Sequence, residues 1–201
     1  MYISLKYTIS EIRRCPISNI YFTSDWHLNH KNIHKLRLFV SSEADNEQKI
    51  INSCKVINKR DVLFLLGDIC FTEDSLKLIK ELPACRKILI KGNHDLPDTR
   101  KLLEVFDSVD GHRTYKKYWL NHCPIHPDEL RGRNCVHGHL HYATLPDKRY
   151  LNLSPERSWF EYGSYLTTLR QVQEYFGEEI KQGTPPKPWV PFIHPPHPLF
   201  K

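Results

Sequence analysis

Asn19-Ile20-Tyr21-Phe22-Thr23-Ser24 runs without a break into Asp25-Trp26-His27. The first six residues are rich in β-branched and aromatic side chains and read as a buried strand, while the three that follow open a polar cluster. Working outward, the same junction recurs. Asp61-Val62-Leu63-Phe64-Leu65-Leu66 leads to Gly67-Asp68, and Lys87-Ile88-Leu89-Ile90-Lys91 leads to Gly92-Asn93-His94-Asp95. Tyr118-Trp119-Leu120 leads to Asn121-His122-Cys123, and Arg133-Asn134-Cys135-Val136 leads to His137-Gly138-His139-Leu140-His141. An apolar strand that ends repeatedly in Asp, Asn or His is the pattern expected where ligands gather at the carboxyl ends of strands.

Between the first two strands, Ser42 and Asp45 have capping-box spacing, and Ile50, Ile51, Cys54 and Ile57 fall on one helical face. Leu76, Leu78, Ile79 and Leu82 predict a second helix stopped before Pro83, and residues 100–105 a third. Strands and helices alternate in this half, which gives an α/β reading; the closely spaced strands after Phe106 look like hairpins. Two packed sheets flanked by helices accommodate both halves.

A chain of 201 residues, 40% hydrophobic, can bury one substantial core. We place that domain at residues 1–181 and a Pro-rich tail at 182–201, where half of the 14 prolines interleave with Trp189, Phe192 and Phe200. The net charge of +6 suits anionic partners, but Lys and Arg are dispersed rather than blocked into a nucleic-acid-binding arm. The six cysteines, Cys15, Cys54, Cys70, Cys85, Cys123 and Cys135, form no CxxC pair and read as reduced thiols, with Cys70 and Cys123 expected to be small buried residues. Residues 1–12 lack the apolar run of a signal peptide, and no segment reads as a membrane span, so a cytoplasmic location without membrane association is expected. The Asn152-Leu153-Ser154 sequon then carries no meaning.

The polar clusters have a shared chemistry. Asp25 and His27 stand two apart, as do His139 and His141, and in extended chain residues two apart point the same way. Carboxylate, imidazole and the amide oxygen of Asn93 suit first-row divalent metals better than magnesium or calcium. Two such ions repel, so a bridging carboxylate is needed, and Asp68 on its short turn is the candidate. Glycines at 67, 92 and 138 would let the backbone turn beneath the ligands. Two metals roughly 3.5–4 Å apart activate a water for in-line attack on phosphorus and neutralise the phosphoryl oxygens. A lone Asp-x-His is usually a turn or cap, and Gly-Asp is equally weak. Gly-Asn-His-Asp and Gly-His-x-His are more specific, and all of them in this order favour a metal site over coincidence.

Asp25-Trp26-His27, Gly67-Asp68, Gly92-Asn93-His94-Asp95, His122 and Gly138-His139-Leu140-His141 together resemble the calcineurin-like metallophosphoesterase superfamily, and Leu151-Asn152-Leu153-Ser154 looks like a late strand of its small bacterial and phage members. The resemblance implies a four-layer αββα sandwich of two mixed sheets flanked by helices. It implies that Asp25, His27 and His141 bind one metal, that Asp68 bridges, and that Asn93, His122 and His139 complete the second site. It also implies that His94 stabilises the phosphate or protonates the leaving group, with Asp95 orienting its imidazole. One position departs from the pattern: family members often carry an acidic residue or asparagine three after the bridging Asp, where this chain has Phe71.

Some neighbours admit two readings. His126 could replace His122, although His122-Cys123-Pro124 resembles the family's His-x-Pro segment. His30, His34, Arg37 and Arg131 are either phosphate contacts or solvated surface residues, and Trp26 packs near the site or stacks on a base. The expectation is therefore a phosphatase or phosphodiesterase using two divalent ions, with manganese the expected metal and iron, nickel or zinc the alternatives. Its substrate would be a phosphorylated small molecule or nucleotide. The alternatives are a nuclease acting on DNA or RNA and a non-catalytic scaffold; the Pro-rich tail would serve a protein partner.

Overall fold

The computed structural model describes residues 18–83 and 86–178. The readings made for residues 1–12, Cys15, Cys85 and the tail at 182–201 lie outside the described residues.

The buried apolar strands read from the sequence form the centre of the fold. Strands β1 (Ile20–Thr23), β2 (Val62–Leu65), β3 (Arg86–Ile90) and β4 (Ser108–Asp110) run parallel, and β9 (Thr167–Thr168) joins β1 antiparallel, giving the order β4-β3-β2-β1-β9. Phe22, Phe64 and Ile88 share a register row and face inward, while Tyr21, Leu63 and Leu89 face the opposite side. Both faces are covered, which explains why these strands read as continuous apolar runs.

The second sheet contains β5 (Arg113–Tyr115), β6 (Tyr118–Leu120), β7 (Asn134–His137) and β8 (Tyr150–Asn152), in that order. Tyr118, Leu120, Val136 and Leu151 pack against Phe22, Phe64, Ile88 and Ile90 to form the layer between the sheets. On the far side of the first sheet, Ile50, Cys54, Leu76 and Ile79 come from α2 (Glu43–Cys54) and α3 (Ser75–Glu81). Short helices α1 (Ile33–Leu36) and α4 (Thr99–Leu102) complete this half. The outer face of the second sheet is covered by Leu130 of a 3-10 turn at Pro127–Leu130, packed with Cys135 and Tyr150. The expected α/β fold of two mixed sheets flanked by helices is what forms.

Ser42 caps α2 by accepting from the Asp45 N–H, but Asp45 returns its carboxylate to Ser41 and not to Ser42. Helix α3 stops as predicted: Leu82, held extended at ψ 153°, precedes Pro83. Two features differ from the sequence reading. Among the described residues after Phe106, only β5 and β6 form a hairpin; β4 joins the first sheet, and β7 and β8 add in parallel. Parallel addition requires crossover loops, and these loops carry the later polar clusters. Helices α5 (Pro155–Tyr162) and α6 (Leu169–Tyr175) lie outside the sequence reading; α5 buries the polar Glu156 and Ser158 along with Pro155. No helix among the described residues is long and apolar enough to cross a membrane.

Candidate metal centre

Beyond their carboxyl ends, β1 and β2 continue side by side as loops. Asp25 N–H donates to the Gly67 carbonyl at 2.9 Å, His27 N–H to Asp68 at 3.0 Å and Leu28 N–H to Ile69 at 3.0 Å. The chain does not stay extended here, so the expectation that residues two apart point the same way does not hold. Asp25, His27, Asp68, His139 and His141 all take left-handed backbone conformations, with φ between 49° and 68°. Asp and His tolerate this region better than most residues, and such conformations concentrate at functional sites. The residue pairs are aimed by these local kinks and not by strand pleating.

All seven expected metal-binding residues come from the loops that follow β1, β2, β3, β6 and β7. Donor atoms of Asp25, His27 and His141 lie within 4.8 Å of one another, as do those of Asp25, Asp68 and His122. His27 Nε2 is 3.7 Å from Asp25 Oδ1 and 3.9 Å from Asp68 Oδ2. Asp68 Oδ2 is also 3.3 Å from His122 Nε2, so this carboxylate stands between the two histidines. Asn93 Oδ1 lies 3.0 Å from His122 Nε2, and His139 Nδ1 lies 3.2 Å from the same nitrogen. The histidines of Gly138-His139-Leu140-His141 thus serve opposite halves: His139 lies with His122, and His141 stacks on His27 at 5.2 Å.

Electrostatics favour deprotonated carboxylates here. Burial opposes ionisation of Asp25, but the nearby His27 imidazole, the hydrogen bond from Ser24 and the charge of His122 outweigh it and hold its carboxyl well below the usual range. Asp68 follows the same pattern: burial is overcome by His122 and by the His94 N–H. Burial keeps the His27 imidazole neutral, lowering its pKa despite Asp25. Both ring nitrogens of His27 are buried without a hydrogen-bond partner among the described residues. A buried neutral imidazole between two carboxylates, with no partner for its nitrogens, is a donor set that fits a divalent cation.

The sequence profile described as calcineurin-like phosphoesterase matches residues 18–192. This chain belongs to that family. An uncharacterized protein of Methanocaldococcus jannaschii is 32% identical over 139 residues, 66% of this chain and 75% of its own length. The Gene 66 protein of Mycobacterium phage L5 is 30% identical over 110 residues, covering 52% of this chain and 49% of the phage protein. A crystal structure of a protein of unknown function from Aquifex aeolicus superposes with a TM-score of 0.62 at 27% identity, over 79% of this chain and 99% of that one. Membership supports a metal-dependent phosphoesterase in general.

Within this calcineurin-like phosphoesterase, several residues take roles other than those expected. Asp95, expected to orient His94, makes no hydrogen bond to its imidazole among the described residues. Its Oδ1 accepts from the N–H groups of Ile69 and Cys70 at 2.8 and 3.0 Å, and its Oδ2 from those of Asp68 and Gly92 at 3.0 and 2.8 Å. With four backbone donors converging on it, the buried carboxylate shapes the loop that presents Asp68. Arg37 is not a surface residue: it is fully buried, and its guanidinium binds Glu156, Asn46 and the carbonyls of Asp25 and Trp26. Cys123 is exposed, unlike buried Cys70, and its sulfur lies within 4.8 Å of donor atoms of His122 and His139.

Other neighbours fall as the alternatives allowed. His126 is exposed and caps the 3-10 turn at Asp128, away from the clustered donors. Trp26 is fully buried and donates to Thr23, so it packs beside the site. Arg131 is exposed and pairs with Glu129.

The glycines act differently from one another. Gly67, at φ +85°, does turn sharply. Gly92 and Gly138 instead make room: an added Cβ would lie 2.3 Å from Asp68 Oδ1 and 2.2 Å from Asp25 Oδ2, respectively.

Glu156 has no sequence signal of its own, yet it is buried and pairs with His141 Nδ1 at 3.0 Å. A histidine that binds metal through one nitrogen commonly gives the other N–H to a carboxylate, and Glu156 is placed to do this for His141.

Proposed function

We propose that this calcineurin-like phosphoesterase hydrolyses a phosphate mono- or diester of a small soluble molecule or nucleotide at a dinuclear metal centre. The observation that carries this reading is the buried His27, whose two ring nitrogens have no hydrogen-bond partner among the described residues and which lies 3.7 Å from Asp25 and 3.9 Å from Asp68. Asp25, His27 and His141 would hold one divalent ion, Asn93, His122 and His139 the other, and Asp68 both. Bound there, two such ions supply Lewis acidity at the phosphoryl oxygens and a nucleophilic water near neutral pH. Manganese, iron, nickel and zinc all accept this set of donors.

The protein's own residues do the rest. Asp68 is held from two sides: its backbone N–H is fixed on Asp95, and its Oδ1 accepts the His94 N–H at 2.7 Å. Ser24, Ser154 and the His139 N–H converge on Asp25 and fix its carboxylate. His94 is exposed at the edge of the cluster, its ring 5.8 Å from that of His27, where an imidazole can give a proton to the leaving oxygen.

The test is hydrolysis of an aryl phosphodiester and an aryl phosphomonoester by metal-stripped protein with manganese, nickel, zinc or magnesium restored. We expect turnover to return with a first-row ion and to be lost in Asp68→Asn. Full activity of Asp68→Asn in metal-controlled buffer would overturn the reading.

A further inference from the structure

The main chain at His94 is fixed by its N–H on Asp68, yet its imidazole has no hydrogen-bond partner among the described residues. Asp95, the neighbour that might have held it, is committed to four backbone donors. What lies against the ring is Phe71. The two ring planes are 12° from parallel with centroids 5.0 Å apart.

Phe71 is itself pinned. His30 meets it edge-on at 4.9 Å and 76°, and His27 lies 5.3 Å away at 44°. Phe71 is half-buried, so one face of a fixed aromatic ring is presented to an imidazole whose other ring neighbour among the described residues, His27, lies tilted 56° at 5.8 Å. Stacking at this separation is a favoured arrangement that resists tilting of either ring.

We infer that Phe71 is a positioning residue for His94, holding the imidazole plane in place of the carboxylate hydrogen bond that orients many catalytic histidines. This rests on the reading of His94 as proton donor to the leaving oxygen. Proton donation matters most when the leaving group is a poor one, such as an alkoxide. It matters little for p-nitrophenolate, which departs without a proton. A ring free to swivel spends less time aligned, and misplacement of about 1 Å can cost about 100-fold.

The test compares wild type, Phe71→Ala, Phe71→Leu, Phe71→Tyr and His94→Ala on phosphodiesters spanning p-nitrophenyl to alkyl leaving groups. In Phe71→Ala and Phe71→Leu, the ratio of kcat for p-nitrophenyl to alkyl ester should rise by up to about 100-fold. Phe71→Tyr, which keeps the ring, should restore the wild-type ratio. An independent readout is the NMR signal of the His94 ring in metal-free protein, which the Phe71 ring current should displace and Phe71→Leu should return toward the free-histidine position. Wild-type ratios in Phe71→Leu, or an undisplaced His94 signal in the wild type, would overturn the inference. If His94→Ala leaves the ratio unmoved, the reading of His94 fails as well; if His94→Ala raises it and Phe71→Leu does not, only the role of Phe71 fails.

Discussion

Arg37 Nε and Glu156 Oε1 meet at 2.7 Å inside the protein, with relative exposures of 0% and 2%. The two residues are 119 apart in sequence, and between them they hold the two ends of the site. Arg37 binds the carbonyls of Asp25 and Trp26 from behind the kinked first loop, and Asn46 supports both the guanidinium and the Trp26 carbonyl. Glu156 gives the same oxygen to His141 of the last loop. Removing one partner leaves the other charge buried and unpaired, so Glu156→Ala should cost about 3–5 kcal/mol in urea unfolding. The milder Glu156→Gln keeps an acceptor for His141 and should fold, with metal affinity at the His141 side reduced about tenfold by calorimetric titration. Unfolding and titration curves that match the wild type for both variants would show that the pair is a passive contact.

The pH dependence of metal-free protein follows from the same residues. For Glu156, burial is overcome by the charge of Arg37 and by His141, so its pKa falls below its ordinary 4.5. Its contribution is present above that value and is lost as pH falls through the folded pKa. The hydrogen bond and charge of Glu156 outweigh burial at His141 and raise its pKa above 6.5, so its contribution is present below 6.5 and is lost as pH rises through the folded value. The stability gap between wild type and Glu156→Gln should therefore be widest between 4.5 and 6.5, where both partners are charged, and should narrow on either side. Urea midpoints measured across that range decide it, and a gap that grows steadily toward alkaline pH would contradict the pairing.

Asp95 allows a sharp distinction between two roles. A carboxylate that receives four N–H groups cannot be matched by an amide, which has a single acceptor oxygen and places its own N–H groups against the remaining donors. Asp95→Asn should lose about 3 kcal/mol of stability in metal-free protein and weaken metal binding through displacement of Asp68. Were Asp95 instead an orienter of His94, the same change would spare stability and damage only esters with poor leaving groups.

These residues show what can be read from a linear chain. Strand-to-ligand junctions such as Phe22-Thr23-Ser24-Asp25 were legible because a fully buried parallel strand has little freedom in composition, and because Asp, Asn and His seldom follow such strands together without a shared ligand. Phe71, Asp95 and Glu156 were not legible in their roles. Phe71 acts through a ring contact, Asp95 spends its charge on main-chain groups that have no sequence signature, and Glu156 finds Arg37 only after both halves have folded. Arg37 itself sits between Leu36 and Leu38, which are both exposed, so local hydropathy pointed the wrong way. The left-handed kinks at Asp25, His27, Asp68, His139 and His141 were hidden too, since neither Asp nor His demands that conformation.

Gly138 offers a probe of the site that removes no ligand. Its backbone passes so close to the first loop that an added Cβ would lie 1.8 Å from Ser24 Oγ and 2.2 Å from Asp25 Oδ2. Neither atom can yield easily, since Ser24 and Asp25 are fully buried and Asp25 is further bound by Ser154 and the His139 N–H. Gly138→Ala should therefore push the two loops apart, costing about 1–3 kcal/mol in stability and displacing both Asp25 and His139 from their common centre. Metal titration should show weakened binding of both ions, because Asp25 faces the His27 and His141 side as well as Asp68 and His122. Gly111→Ala is the control, since no atom of the described residues lies within 4 Å of an added Cβ there. Equal metal affinity in the two variants would mean that the loops separate without disturbing the donors, and the packing of Gly138 against Asp25 would then have no part in building the site.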